Sequence, residues 1–364
     1  MSANEQPKGL HATWQQARYY LNGHRHELAR IADRLYPEYE RVGSTRLLTR
    51  DNWRLSEPLA FDQVALKWSD RAPAPVVTGG EPEVRSALTE GSATYAEAMA
   101  KHGKPGLFEN RPCYRLLDVA WPTLNFTRGS YFDSVNVGEA AAHELATAHL
   151  RREDRLPFRS LIGDPTNLSG RVVLPAVSML TLRRDSHTGE MTFVLHWRDP
   201  ARVAHGGGLY QVMPVGVFQP IGDAPADEIR DFDLWKGIVR EYSEEFLGRS
   251  EMYDEAFTYN SWPFYRQMEQ ARADNRLRSF VLGLGIDPLT FAADILAVTV
   301  IEAETFDALF KEAVEDNEEG RVIGVAGISF RADQVTRYVH DEPMQAAGAA
   351  VLELAWEHRH ALVS

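Results

Sequence analysis

Arg240-Glu241-Tyr242-Ser243-Glu244-Glu245-Phe246-Leu247-Gly248 is the stretch of this chain best suited to chemistry. On a helix, residues three and four apart share a face, so Glu241, Glu244 and Glu245 are expected to project together. Like charges at that spacing repel by roughly 0.2–0.5 kcal/mol per pair. A hard divalent cation reverses the sign, because Mg²⁺ takes oxygen ligands and works through carboxylates plus substrate phosphates. The spacing is that of a helix able to hold Mg²⁺, or Mn²⁺, over a pyrophosphate. For E-x-x-E-E alone, the plain alternative is a solvated acidic face on an amphipathic helix.

The element that must carry these carboxylates is an amphipathic helix. At about 100° per residue, Ile229, Phe232, Trp235, Val239, Tyr242 and Phe246 fall on one side and the three glutamates on the other. Gly237 lies one turn before Glu241 on the carboxylate side. A mid-helix Gly costs about 1 kcal/mol against Ala, so this one is expected to clear room for a ligand.

The segment resembles the signature helix of Nudix hydrolases, G-x5-E-x7-R-E-U-x-E-E-x-G-U with U bulky and apolar. Arg240, Glu241, Tyr242, Glu244 and Glu245 stand at R, E, U, E and E. Leu209-Tyr210-Gln211-Val212-Met213-Pro214-Val215-Gly216 is similar to the strand and P-G-G turn that precede that helix. There are departures. Phe232 stands where the first Glu would fall, flanked by Asp231 and Asp233. Gly216 lies further upstream, across an insertion from Gln219 to Asp227. Gly248 comes one residue late.

The resemblance implies an α+β fold: a mixed β-sheet packed between helices, an α/β/α sandwich over residues 166–364, after an N-terminal α+β region over 1–165. It implies Mg²⁺ on Glu241, Glu244 and Glu245, with Arg240 orienting a carboxylate and Glu245 the first choice of base. Asp287, Asp294, Glu302 and Glu304 are further candidates for that base, more simply read as surface or capping acids. The implied reaction is hydrolysis of a phosphoanhydride in a nucleoside diphosphate-linked small molecule. Trp197, Arg198, Tyr210 and Phe218 are candidates to stack a base and hold phosphate, or to serve in packing.

Further stretches, Phe108-Glu109-Asn110-Arg111-Pro112, Tyr131-Phe132-Asp133, Gly138-Glu139-Ala140-Ala141-Ala142-His143-Glu144 and Asp233-Leu234-Trp235, resemble a group of actinobacterial proteins. In these a Nudix-like domain follows an N-terminal region, and some members are regulators carrying a helix-turn-helix, which is not evident at the start of this chain. The alternative they imply is a non-catalytic nucleotide- or metabolite-sensing protein. The N-terminal region is expected to cover the pocket and set specificity, or to build a homodimer interface.

The chain has 364 residues, 44% of them hydrophobic and 25% charged, within the range of an ordinary globular protein. A net charge of −13 argues against non-specific nucleic-acid binding, although one local basic patch is enough for a small phosphorylated ligand. The single cysteine, Cys113, excludes an intrachain disulfide and a cysteine metal cluster. No signal peptide or membrane span is expected, and the cytoplasm is the default compartment.

Helical spacing predicts a helix over 11–35 ended by Pro37, and others over Tyr95–His102, Val137–His149, Thr305–Val314 and Glu342–His360. Leu59–Trp68 is expected to hold a strand. Tyr114–Asp118 and Thr123–Arg128 read as a hairpin. Gly163-Asp164-Pro165 and Ser169-Gly170 mark a boundary. Strands are predicted after it over Val172–Arg183, Met191–Arg198, Gly208–Val217, Arg278–Gly285, Ala293–Glu302 and Arg321–Phe330.

Three tempting motifs fail on spacing. His143-Glu144 lacks the second histidine of H-E-x-x-H, though the pair could line a pocket. His205-Gly206-Gly207-Gly208 has no G-x-S-x-G elbow to serve. Gly283-x-Gly285 is too short for a dinucleotide fingerprint. His24-Arg25-His26 places its histidines too close in sequence for a helical metal site, and Glu315–Glu319 reads as a solvated turn.

Overall fold

The structure is a computed structural model that describes residues 8–105, 108–199, 207–249, 257–314 and 320–363. Its first half runs α1 (Lys8–Gly23), α2 (Arg25–Asp33), β1 (Glu40–Arg41), β2 (Leu48–Thr49), β3 (Arg54–Ala60), β4 (Ala65–Trp68), α3 (Pro82–Arg85) and α4 (Tyr95–His102). The hairpin β5 (Pro112–Ala120) and β6 (Thr123–Ser130) follows, then α5 (Tyr131–Arg151) and α6 (Pro157–Ile162). The second half runs β7 (Pro175–Arg184), β8 (Met191–Arg198), β9 (Tyr210–Val212), β10 (Val215–Val217), α7 (Pro225–Arg230), α8 (Leu234–Glu241) and α9 (Pro263–Ala273). It closes with β11 (Leu277–Ile286), β12 (Ala293–Glu302), α10 (Ala303–Leu309), β13 (Gly320–Ser329), α11 (Ala332–Thr336) and α12 (Ala346–Glu357).

The architecture is α+β. The large mixed sheet has the order β1-β2-β11-β12-β7-β8-β13, with β3 on β11, β10 on β7 and β9 on β8. Its centre is the parallel pair β7 and β12, in register from Pro175 with Ala293 to Arg184 with Glu302. A parallel pair is buried on both faces, so its strands read as near-continuous apolar runs. The residues alternate between two cores. Val177, Met179, Ile295, Ala297 and Ile301 pack with Trp235, Ile238, Val239 and Tyr242 of the α8 segment. Leu180, Leu182, Leu296, Val298 and Val300 pack with Ala347, Ala350, Val351 and Ala355 of α12. Helices thus cover both faces of this sheet.

The two halves of the chain share the sheet and the core. β2 and β3 pair with β11, and the α8-side core runs without interruption from Trp14 to Phe310. A second sheet, β4-β6-β5, lies against this core. Tyr114 of β5 donates its N–H to Phe218 O, and Leu116 to Val173 O.

Several elements depart from the spacing-based expectation. The helix expected over 11–35 breaks at His24, where α2 begins. Gly208–Val217 is two short strands, because the chain leaves β8 for β7 at Met213-Pro214. The helix expected from Ile229 onward is also two pieces, and Ile229 is 81% exposed rather than part of the buried side. Gly283 sits beside β3 with φ +150°, a conformation that L side chains rarely adopt, and a Cβ there would meet Trp53 O at a tight 3.1 Å. Glu315–Glu319 and His205-Gly206 lie outside the described residues. Among the described residues, no helix is long and apolar enough to cross a membrane.

Candidate functional site

Asp233 starts the site helix. Its carboxylate accepts hydrogen bonds from Trp235 N at 2.8 Å and Lys236 N at 3.1 Å, a side-chain N-cap. Asp231, fully buried, is not a second acid for chemistry. Its carboxylate accepts from Ile221 N at 2.9 Å, from Arg230, and from Tyr259 Oη at 3.0 Å. It therefore anchors the segment inserted between Gln219 and Asp227. Sequence reading missed the capping role of Asp233, although an Asp ahead of Leu-Trp is a legible start signal for a helix.

After Glu241 the helix widens into a π turn over Tyr242–Phe246. Its i→i+5 bonds enclose one residue more than α-helical ones, and such turns recur at functional sites. The Tyr242 hydroxyl meets Thr181 Oγ1 of β7 at 2.9 Å, fixing the turn to the central strand. Burial pushes the Tyr242 pKa up to about 12, so the phenol stays protonated. Gly248, with φ +63°, ends the helix.

The π turn changes which glutamates reach solvent. Glu241 and Glu244 are half-buried, while Glu245 is 3% exposed. Glu245 Oε1 accepts a hydrogen bond from Val215 N of β10 at 2.9 Å. The next residue on that strand, Gly216, lies against the Glu241 carboxylate so closely that a Cβ there would overlap it. One three-residue strand thus seats two of the three carboxylates.

Arg240 is 1% exposed, and its guanidinium donates to Gln219 O at 2.6 Å. Arg240 on Gln219 and Asp231 on Ile221 both hold the chain just after it leaves β10. Gly237 does not open onto a ligand space. A Cβ there would meet the Phe218 ring at 3.7 Å, so the expected room is filled by that side chain.

The four substrate-binding candidates are not gathered around the carboxylates. Phe218 is core, 2% exposed and packed between Tyr114 and Phe232. Tyr210 packs edge-on to Tyr338 in the α12-side core. Trp197 pairs with Tyr210 and Arg321 in the sheet, and Arg198 follows it, half-buried. The further acids are structural. Asp287 Oδ1 accepts from Leu289 N and Thr290 N, Asp294 accepts from Ser178 Oγ at 2.8 Å, and Glu302 and Glu304 flank the start of α10. His143 is buried with Nε2 3.1 Å from Trp14 O, and Glu144 accepts from Phe158 N and Arg159 N at the start of α6.

Hard carboxylate oxygens suit Mg²⁺ or Mn²⁺. Among the described residues, no group of three or more His, Cys, Asp or Glu side chains is arranged to hold a metal ion. Mg²⁺ seldom uses such a cage. It takes one or two carboxylates and completes its shell with water and substrate phosphate, a share that Glu241 and Glu244 fit. A cavity of about 780 Å³ lies elsewhere, between α1 and α5. No protein-family model matches the chain, and no curated protein matches it.

Proposed function

We propose that this chain is a Nudix-like, Mg²⁺-dependent hydrolase that cleaves a phosphoanhydride in a nucleoside diphosphate-linked small molecule. The observation that carries the reading is the seating of Glu241 on Gly216 and of Glu245 on Val215. The resemblance pairs a glycine-bearing strand end with the Glu-rich helix, and these are the residues that meet. The π turn adds support, because its wider ring accommodates the extra residue before Gly248.

In this reading Glu241 and Glu244 hold the metal together with substrate phosphate. The metal, when bound, polarises a phosphoryl oxygen and lowers the pKa of a bound water. Glu245 has one oxygen held by Val215 N, and in this reading its carboxylate is the base that takes a proton from water. Arg240 positions the chain after β10 from behind the helix.

The second reading is a sensor that binds a nucleotide without turnover. Phe232 in place of an acid and the burial of Glu245 favour it. A panel of nucleoside diphosphate derivatives, assayed for phosphate or nucleotide release with Mg²⁺ and with EDTA, separates the two. Metal-dependent turnover supports the hydrolase. Metal-dependent thermal stabilisation without turnover supports the sensor, and neither effect removes both.

A further inference from the structure

The groove of about 780 Å³ between α1 and α5 shares no residue with the carboxylate site. Trp14, Ala17, Arg18 and Leu21 turn the inner face of α1 into the core, while Gln15, Gln16 and Tyr19 of the same helix are exposed. On α5, Ala142, Leu145 and Ala146 are buried, and Leu150 and Arg151 are exposed. The two helices run side by side in the same direction, since the Trp14 ring lies 5.0 Å from that of His143 and the Tyr20 ring 5.8 Å from that of His149. His143 Nε2 meets Trp14 O at 3.1 Å, and buried Glu139 of α5 binds Arg18 of α1. The groove walls are therefore fixed by the core beneath them, and Ala17 and Thr147 are too small to fill the space between.

This patch differs from the rest of the surface in two ways. Tyr19 is 84% exposed and Leu150 47%, so two of the seven large hydrophobic side chains exposed among the described residues border one groove. Tyr19 makes no hydrogen bond or ring contact with any described residue. The second difference is charge. Among the described residues that line the groove, Arg151 alone is charged, in a chain with 25% charged residues and a net charge of −13. Glu27, 3.4 Å from the Tyr20 hydroxyl, stands at one end, so the rim holds both signs.

Each difference bears on what covers the groove. A large net charge keeps copies of a chain apart, and they meet at lowest cost where acids are scarce. Interface centres are depleted in acids and enriched in Tyr and Arg. A protruding ring beside a groove on the same patch is self-complementary under a two-fold rotation, because each copy's ring meets the other's groove.

We propose that a second copy of this chain covers the groove, in a two-fold homodimer in which Tyr19 of each copy enters the groove of the other. Leu150 packs against the incoming ring, and Arg151 and Glu27 form the rim. The contact uses no residue of the carboxylate site, so it stands or falls independently of the hydrolase reading.

The test is sedimentation velocity over a dilution series, without Mg²⁺ or nucleotide, on wild type, Tyr19→Ala, Leu150→Asp and Ile229→Ala, with native mass spectrometry of the same samples. Wild type should sediment as a dimer at high concentration and dissociate on dilution. Tyr19→Ala and Leu150→Asp should each weaken the dimer about tenfold or more, as loss of a buried interface anchor does. Ile229→Ala removes a comparably exposed side chain on α7 and should leave the affinity unchanged. Circular dichroism checks that the variants fold, and Tyr19→Ala, at an exposed position, carries the comparison should Leu150→Asp fail. A wild type that stays monomeric throughout, or a dimer that a folded Tyr19→Ala leaves at full strength, overturns the proposal. So does a monomer that carries a bound small molecule in the mass spectrum, which gives the groove to a ligand instead. Weakening by Ile229→Ala alone places the interface at α7 and overturns it too.

Discussion

Gly216 and Glu241 are in direct contact across the β10–α8 seam, and the carboxylate occupies the space a side chain at 216 would need. Gly216→Ala must therefore push Glu241 aside or shift β10. Metal-dependent turnover is expected to fall by about tenfold or more, equivalent to about 1.4 kcal/mol or more in the barrier, with the fold retained. Steady-state rates together with circular dichroism check this. Unchanged turnover would place Glu241 outside the chemistry.

Gly237 behaves in the opposite way. A Cβ there meets Phe218 only at ordinary van der Waals distance, 3.7 Å. Gly237→Ala is expected to stabilise the protein by up to about 1 kcal/mol, through helix propensity, and to leave turnover unchanged. Urea denaturation measures it. A loss of activity would restore Gly237 as a position that makes room for ligand.

How much of this was legible in the sequence follows from the signals each element carries. Tyr95–His102, Met191–Arg198 and Ala293–Glu302 are found with the same bounds, because periodicity or an apolar run spans each whole element. The joining of the halves through β2 and β3 was not legible. Two residues of β2 carry no period, and β3 is a partly exposed edge partner of β11. The site helix was legible as a carboxylate-bearing element, but a regular 100° wheel cannot register a π turn. That turn separates buried Glu245 from half-buried Glu241 and Glu244. Phe218 and Tyr210 show why aromatic composition alone does not mark a pocket, since both are packing residues here.

Glu245 and Val215 share a part-buried hydrogen bond of 2.9 Å. Glu245→Ala leaves the Val215 N–H unsatisfied and is expected to destabilise by about 1–3 kcal/mol. Glu245→Gln keeps an acceptor oxygen, so it should retain most of the stability while losing turnover. Chemical denaturation and rate measurements on the two variants separate the positioning role from the acid–base role. Equal activity in Glu245→Gln and wild type would remove Glu245 as the base.

His143 predicts an acid limb in stability. Burial, with Arg18 adding to it, lowers its pKa from 6.5 to about 3 in the folded chain. Between those values the unfolded chain binds a proton that the folded chain does not, so stability falls as pH is lowered through that window. Urea midpoints at several pH values between 7 and 4 should drop less steeply for His143→Gln than for wild type. Parallel pH profiles would mean that His143 is not held neutral.

The most direct test of the central claim is the rate of phosphate or nucleotide release from nucleoside diphosphate derivatives by wild type and Glu244→Gln, with Mg²⁺ and with EDTA. Glu244 is half-buried and lies on the π turn with Glu245, one turn after Glu241. The account predicts turnover in wild type only with Mg²⁺, and its loss in a folded Glu244→Gln. Turnover that persists in EDTA, or that is equal in the two proteins, would contradict it.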